Sequence, residues 1–309
     1  MCSKNNEKDA LEVFEQHPES ILRLDNFSTW QINWNDKVTN IKHIAEDLNI
    51  GIDSLVFVDD SQFECDFVRH NLPEVAVINL SGDPSGYKNL LSEGAYFDSL
   101  SFSQEDRKRN MMYRAQVKRK ELSAYSNSLE DYLSKLNMKA EISLANEKTI
   151  PRISQLTQKT NQFNLTTKRY TEGEIKTFAE NKDSDVFYLK LVDKISELGI
   201  VGVVILKYEN DNALIDTFLM SCRVIGRDVE KSLLAYVLNH CKAKNIITVQ
   251  GEYIPTKKNN MVADFYQKQN FKLINYHAQK TSLTITLTNK QFYGPEWVKI
   301  NPETFNDIL

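Results

Sequence analysis

The chain has 309 residues, of which 41% are hydrophobic and 26% are charged, and its formal net charge is −4. This length indicates about two domains, and a slightly acidic chain offers no electrostatic case for nucleic-acid binding. No run approaches the roughly 18 apolar residues of a membrane span. The first residues lack the apolar core of a signal peptide, and the four cysteines lack metal-ligand or disulfide spacing, so a reducing, cytoplasmic setting is expected.

Helices and strands alternate over the first hundred residues, which predicts an α/β wound sheet. Apolar spacing predicts helices at 6–16, 37–48 and 62–70, and strands at 21–24, 55–58 and 75–78,. The charged run over 103–137 predicts a solvated helical connector. Its basic part, 107–120, is alternatively a docking face for an acidic carrier protein.

Residues 138–288 predict a second α/β domain. A helix is expected at 150–157, and strands at 185–192, 199–208, 213–220, 246–249 and 282–287, with a hairpin turn at 209–212,. The tail, 289–309, shows no assignable chemistry.

The most informative feature is the apolar strand 213–220, which is followed by a turn at Gly226 and a helical pattern over 229–242. Amides at the start of such a helix point outward, and the helix dipole adds partial positive charge. The turn can therefore hold a pyrophosphate or a phosphopantetheine arm, with Arg223, Gly226, Arg227, Asp228 and Val229 as binding residues. A strand-to-helix turn without a ligand is the ordinary alternative. Asp228 is alternatively a helix cap.

Two segments resemble motifs of the GNAT acyltransferase superfamily. Arg223-x-x-Gly226-x-Asp228 is similar to its Arg/Gln-x-x-Gly-x-Gly/Ala loop, with Asp228 in place of a small residue. The segment 259–271 resembles its last helix, and Asn270 is expected to end that helix in the left-handed conformation. The resemblance implies that Tyr266 protonates a leaving thiolate; the alternative is that Tyr266 packs the helix.

The first domain resembles the later motifs of the HAD phosphatase superfamily. Ser3 matches a phosphate-binding Ser or Thr, and Lys37 matches a lysine that neutralises phosphoryl charge. Asp59, Asp60 and Glu64 match the acidic motif that holds Mg²⁺, since carboxylates at the carboxyl end of a parallel strand suit a hard cation. The ordinary alternatives are a helix cap for Ser3, a surface charge for Lys37 and a turn for Asp59 and Asp60.

Taken together, the two halves resemble the FkbH-like family, which joins an HAD-like domain to a GNAT-like domain. The matching pieces are Cys-Ser-Lys-Asn-Asn-Glu from Cys2, Arg-Ala-Gln at 114–116, the run 156–167, Cys-Arg-Val-Ile-Gly-Arg from Cys222, and Gly-Glu-Tyr-Ile-Pro-Thr at 251–256. The resemblance implies an α/β fold: a partial HAD-like Rossmannoid sheet at 1–102, a connector at 103–137 and a GNAT-like domain at 138–288.

The family implies a transferase that loads a glyceryl or other acyl group from an acyl phosphate onto an acyl carrier protein thiol, in polyketide, secondary-metabolite or surface-polysaccharide biosynthesis. Its cofactors would be Mg²⁺ and the carrier's phosphopantetheine arm, or coenzyme A. Amide side chains are expected to hold the acyl hydroxyls: Gln158, Asn161, Gln162 and Asn164. Cys2 is the candidate for thioester exchange, and Cys222 is the alternative.

One motif expected from the HAD resemblance is missing. The sequence contains no nucleophilic Asp-x-Asp-x-Thr. The expectation is an N-terminally truncated chain, or a missing piece supplied by another chain, in which Mg²⁺ binds poorly. A Mg²⁺-dependent phosphatase (in the parent protein) and a non-catalytic carrier-binding module are the alternative functions. The sequence does not indicate the oligomeric state.

Overall fold

The computed structural model describes residues 1–98, 109–277, 279–287 and 291–301. The chain forms two compact units, residues 1–125 and 126–309. None of the helices in the described ranges has the length and apolar character that crossing a membrane requires. The predicted α/β class is confirmed.

The first unit contains two separate two-stranded parallel sheets. β1 (Cys2–Ser3) pairs with β2 (Gln31–Ile32), and β3 (Val56–Asp59) pairs with β4 (Ala76–Asn79). The helices of this unit are α1 (Glu7–Gln16), α2 (Lys37–Leu48), α3 (Gln62–Asn71), α4 (Tyr87–Glu93) and α5 (Arg109–Ala124).

The helix α2 shows why the local predictions hold. Its first turn is capped by Asp36, which accepts a hydrogen bond from the Thr39 amide at 2.8 Å, and it ends at Asn49 with φ of 52°. Its apolar positions recur at helical spacing and lie in one core with α3 and β3,. Helix bounds of 37–48 are therefore those predicted.

The strand predicted at 21–24 is wrong. Ile21 is 93% exposed, and Leu24–Asn26 forms a 3₁₀ turn in which the Asn26 side chain accepts a hydrogen bond from the Arg23 amide. β2, further along the chain, pairs with β1 instead. A four-residue apolar run does not become a strand when neither of its faces is buried.

The predicted connector is described in part. Residues 103–108 lie outside the described residues, and α5 packs against α2 within the first unit. The next helix, α6 (Leu129–Lys135), belongs to the second unit.

The second unit is built on a nine-stranded mixed sheet in the order β11-β12-β10-β9-β8-β7-β5-β13, with β6 pairing on β9. The strands are β5 (Met138–Leu144), β6 (Phe163–Asn164), β7 (Ser184–Val192), β8 (Glu197–Glu209), β9 (Asn212–Met220), β10 (Thr248–Tyr253), β11 (Lys272–His277), β12 (Lys280–Thr286) and β13 (Val298–Ile300). The helices are α6, α7 (Ile150–Lys159), α8 (Glu172–Glu180), α9 (Val229–Ala243) and α10 (Phe265–Lys268).

Helices cover both faces of this sheet. α7 and α8 pack on the face that carries Val186, Val203 and Leu219. Side chains alternate along a strand, so Gly202, which precedes Val203, faces the other side of the sheet, and the α9 residue Leu233 lies over it,. Continuous apolar strands such as β8 follow from burial on both faces,.

Two C-terminal expectations change. The helix expected within 259–271 is only a 3₁₀ turn, Asn260–Val262, and the short α10, although Asn270 does adopt a left-handed φ of 65°. The tail at 289–309 contributes β13, which pairs in parallel with β5 and buries Val298.

Candidate functional site

The candidate site lies where β9 and β10 end and α9 begins. These two strands pair in parallel only from Asn212 to Ile215 of β9, and then part. Gly226 (φ 81°) and Asp228 (φ 61°) are both left-handed, and they turn the chain into α9. The Asp228 carboxylate does not cap the helix, which was its alternative role; it pairs with Lys231 at 2.9 Å. The helix start is therefore formed by backbone amides, which favour an anion.

Arg227 points into the protein. Its Nη1 lies 3.1 Å from Asp193 Oδ2, and its Nη2 donates to the Arg223 carbonyl at 2.7 Å. The Arg227 carbonyl in turn accepts a hydrogen bond from Trp297 at 3.1 Å. The contact with a phosphate predicted for Arg227 would require this buried pair to open, whereas the half-buried Arg223 binds Ser221 Oγ at the turn itself.

A second carboxyl group lies in the first turn of α9. Burial raises the pKa of Glu230 to about 7, and the nearby Asp228 adds to the shift. A phosphate at this helix start would therefore face Asp228 and Glu230. Protonation of Glu230 near neutral pH would reduce that repulsion.

The free edge of β9 beyond its pairing with β10 is occupied by β6. Phe163 and Asn164 pair with Met220 and Leu219, while β8 pairs along the opposite edge of β9. The Phe163 ring packs against Phe265, with 5.5 Å between ring centroids. An extended ligand cannot form a strand-like ladder on this part of β9 while β6 is in place.

The Asn- and Gln-rich run binds its own loop. Asn164 is fully buried; its Oδ1 accepts from the amides of Thr166 and Thr167, and its Nδ2 donates to the Thr160 carbonyl. Thr167 has a φ of 51°, which is strained for a β-branched residue. These hydrogen bonds engage the amide group of Asn164 within its own loop, so Asn164 stabilises the loop.

The other three amides of this run lie nearer the surface. Arg169 binds Asn161 Oδ1 at 2.5 Å and also donates to carbonyls at the end of α7. A cation at this end of a helix interacts favourably with the helix dipole. The exposed Gln158 donates to the Tyr170 carbonyl, and Gln162 is half-buried. Their predicted role in holding acyl hydroxyls stays a prediction.

Sequence reasoning missed a network centred on Asp216, which is 1% exposed. Its carboxylate binds Lys207 at 2.8 Å, Lys168 at 2.9 Å and the Tyr170 hydroxyl at 2.6 Å. Burial alone would raise the pKa of Asp216, but these three partners outweigh it and lower the pKa to about 2. The network ties the loop after β6 to β9. A charged residue inside the apolar run 213–220 was the signal for it.

A second missed cluster joins α9 to β7. Asp185 Oδ2 lies 2.8 Å from His240, 2.6 Å from the Tyr208 hydroxyl and 3.0 Å from Lys244. Burial opposes ionisation, but these bonds outweigh it and lower the pKa of Asp185 below its ordinary value. The cluster lies at the far end of α9 from the turn.

Tyr266 is fully enclosed. Its ring lies against Gly251, where an added Cβ would be 2.5 Å from the ring, and burial raises the pKa of its hydroxyl. Within the described part of the chain, the hydroxyl has no hydrogen-bond partner. Its predicted role as the acid for a leaving thiolate stays a prediction and would require a ligand to reach this buried oxygen.

In the first unit, Lys37 joins the ends of two strands. Its Nζ donates to the Cys2 carbonyl at 2.9 Å and lies 3.1 Å from Asp59 Oδ2. Ser3 is half-buried beside this contact on β1. Burial raises the pKa of the Cys2 thiol, despite the opposing charge of Lys37.

The three predicted metal ligands have different partners in this structure. Asp59 also accepts a hydrogen bond from the Ser61 amide, Glu64 pairs with Lys4 at 2.6 Å, and Asp60 is exposed. Over residues 1–98, 109–277, 279–287 and 291–301, no group of three or more His, Cys, Asp or Glu side chains is placed to hold a metal ion. Lysines pair with two of these three carboxylates, and the predicted Mg²⁺ role of Asp59, Asp60 and Glu64 stays a prediction.

Comparisons with known proteins give separate similarities for parts of the chain. No protein-family model matches the chain, and no curated protein matches it. The ribosomal-protein-S18-alanine N-acetyltransferase of Escherichia coli is 12% identical, with a TM-score of 0.39, over 50% of this chain and 99% of that chain. The PaiA N-acetyltransferase of Thermoplasma acidophilum, solved with coenzyme A, is 14% identical, with a TM-score of 0.35, over 48% of this chain and 99% of that chain.

A third similarity has a higher identity. The N-terminal part of the protein BF1531 from Bacteroides fragilis, which contains a phosphatase domain and was solved with Mg, is 46% identical, with a TM-score of 0.32. The match covers 33% of this chain and 27% of that chain. The roles of individual residues here rest on the geometry described above.

Proposed function

We propose that the chain transfers an acyl group from an acyl phosphate to the phosphopantetheine thiol of an acyl carrier protein, and that the second unit binds the phosphopantetheine arm. The observation that carries this proposal is the start of α9. Two left-handed residues, Gly226 and Asp228, place backbone amides without a side-chain cap at the end of β9. This geometry suits the phosphate of the arm.

The reaction follows from the chemistry of a mixed anhydride. The deprotonated thiol of the arm attacks the acyl carbon, and a carbon–sulfur bond forms. The bond from that carbon to the phosphate oxygen breaks, and phosphate leaves with the electron pair. The chain's own contribution is to bind the arm's phosphate and to orient its thiol.

The surroundings of the turn set the expected affinity. Arg223 supplies a cation at the turn, whereas Arg227 is engaged by Asp193. Asp228 and Glu230 oppose a phosphate, and β6 occupies the strand edge along which an extended arm would run. We therefore expect weak binding of free coenzyme A, with carrier-protein contacts supplying much of the affinity.

Calorimetry tests the phosphate site. Coenzyme A and a phosphopantetheinylated acyl carrier protein are titrated into the full chain, into Arg223→Ala, and into Lys182→Ala. Lys182 is exposed just before β7, at the sheet edge opposite to the turn. Loss of one bond to a charged group costs about 1.5–3 kcal/mol, so Arg223→Ala should weaken binding about ten- to a hundredfold. Lys182→Ala should change nothing. Tight coenzyme A binding that ignores Arg223→Ala overturns the site.

Intact-mass spectrometry tests the chemistry. The full chain, an acyl phosphate and the carrier protein are incubated together, and the acylated carrier is measured. An acyl adduct on the chain itself that disappears in Cys2→Ala would place a thioester on Cys2. An adduct that survives Cys2→Ala would remove that assignment and leave the half-buried Cys222 as the candidate. The transferase proposal is overturned if the native chain yields no more acylated carrier than a denatured-chain control does.

A phosphatase is not proposed for this chain. It carries no Asp-x-Asp-x-Thr, and Asp59 and Glu64 are paired with Lys37 and Lys4. With a generic phosphate ester and Mg²⁺ we expect no turnover.

A further inference from the structure

Several loops of the second unit lie at the end of its sheet where β7, β9 and β10 terminate. We call this end the carboxyl edge; its loops are residues 193–196, 221–231 and 254–260. β9 and β10 are parallel, so both end here. Direct contacts join the first two loops to each other, and the third loop to the β6 segment. Arg227 binds Asp193 at 3.1 Å, the Ile254 amide donates to the Leu165 carbonyl at 2.8 Å, and Asn259 donates to the Asn164 carbonyl at 2.9 Å.

This edge carries an excess of accessible positive charge. When Lys231 is set against Asp228, four exposed or half-buried cations from the three loops remain in the count: Lys194, Arg223, Lys257 and Lys258. Its carboxylates are largely compensated. Asp193 is buried against Arg227, Asp228 pairs with Lys231, and Glu230 is half-buried with its pKa raised by burial.

The opposite edge carries both signs of charge. The β8–β9 hairpin exposes Glu209 and Asp211, and the turn before β7 exposes Lys182 and Asp183. The positive carboxyl edge is therefore a local feature of a chain whose net charge is −4. A locally positive surface of this kind orients an acidic partner and speeds its association.

The basic helix singled out in the sequence has most of its described cations paired or buried. Within α5, Arg114 pairs with Asp25 at 2.5 Å, Lys120 pairs with Asp47, and Arg119 is 1% exposed, whereas Lys118 is exposed. Residues 107 and 108 lie outside the described residues. These three cations of α5 are used within the first unit, so the carboxyl edge is the better candidate for an acidic partner.

We propose that the carboxyl edge is the docking surface for the acidic carrier protein whose arm enters at α9. This inference rests on the proposed function, since it assigns the partner of the same site. Lys257 and Lys258 lie on the loop that follows β10, and Lys194 lies on the β7–β8 turn, so the carrier would contact loops on both sides of the α9 start.

Charge reversal of full-length chains tests the surface. The test variant combines Lys194→Glu, Lys257→Glu and Lys258→Glu. A matched control makes the same change in charge at exposed lysines away from the carboxyl edge, with Lys148→Glu, Lys176→Glu and Lys182→Glu. Circular dichroism melts of both variants check that they fold. Fluorescence anisotropy then measures binding of a labelled acidic acyl carrier protein, with and without its phosphopantetheine arm, at 50 and 200 mM salt.

The expected result is specific to the carboxyl edge. The test variant should bind both forms of the carrier at least tenfold more weakly, and the control variant should bind within twofold of the unaltered chain. Binding of the unaltered chain should weaken at the higher salt concentration. The docking surface is overturned if both variants weaken carrier binding equally or if the test variant does not weaken it. It is also overturned if the unaltered chain binds heparin as tightly as it binds the carrier.

The two proposals fail separately. If the test variant loses the carrier without its arm but no acyl transfer is ever seen, the docking surface stands and the transferase proposal fails. If acyl transfer to the carrier is seen and the test variant supports it at the unaltered rate, the transferase proposal stands and this surface is wrong.

Discussion

The buried pair of Arg227 and Asp193 supports a prediction that separates a structural role from a ligand-binding role. The two side chains are 4% and 0% exposed, and 3.1 Å separates their charged atoms. Asp193 also accepts bonds from the amides of Ile195 and Ser196 at 2.9 Å, so it organises the β7–β8 turn. Replacing Arg227 leaves a buried carboxylate without its cation.

The expected cost follows from this burial. Removing one partner of a buried ion pair costs about 3–5 kcal/mol. Arg227→Met, which keeps the length of the side chain, should therefore lower the free energy of unfolding of the second unit by that amount. With a urea dependence of about 1–3 kcal/mol per molar, the midpoint should fall by about 1–5 M. Arg223→Met, at a half-buried site, should cost less than about 1 kcal/mol.

Tryptophan fluorescence can report this unit alone. Trp297 donates a hydrogen bond to the Arg227 carbonyl, whereas Trp30 and Trp34 belong to the first unit. Urea unfolding is followed in a chain with Trp30→Phe and Trp34→Phe. The double variant Arg227→Met with Asp193→Asn should recover part of the loss, because the uncompensated charge is gone. The reasoning is refuted if Arg227→Met and Arg223→Met cost the same, or if the double variant is the sum of its parts.

Three further predictions concern single side chains. The pKa of Glu230 in the folded protein, about 7, lies above the ordinary value of 4.5. The free energy of unfolding of the unit should therefore fall, by at most about 3 kcal/mol, as pH rises from about 4.5 to 7. Urea melts at several pH values should show that Glu230→Gln flattens this pH dependence. Asp216→Asn should release Lys168 and Lys207 and speed amide hydrogen exchange over the loop at 160–171, and unchanged exchange there would show that the network does not hold the loop,. Tyr266→Phe removes a buried hydroxyl with no partner in the described residues, so stability should stay equal or rise; a large loss of acyl transfer without loss of stability would instead support the acid role.

Local features of the sequence were sufficient to predict a segment wherever its structure depends on residues within it or next to it. The bounds of α2 follow from helical spacing, a capping Asp36 and an ending Asn49. The β8–β9 hairpin follows from two apolar runs around a polar turn, and the turn at Gly226 follows from a residue that tolerates positive φ,. These features depend on neighbours in the chain, and so a pattern can predict them.

What each polar side chain does was decided by tertiary structure. Arg227 turns inward because the β7–β8 turn brings Asp193 to it, 34 residues away in sequence. Asn164 supports the loop at 160–171 because β6 inserts beside β9. The tail adds β13 to the sheet because the fold leaves an edge of β5 for it to pair with. A sequence pattern shows which residues are polar or apolar, but the partner of a buried charge depends on which distant segment the fold places beside it.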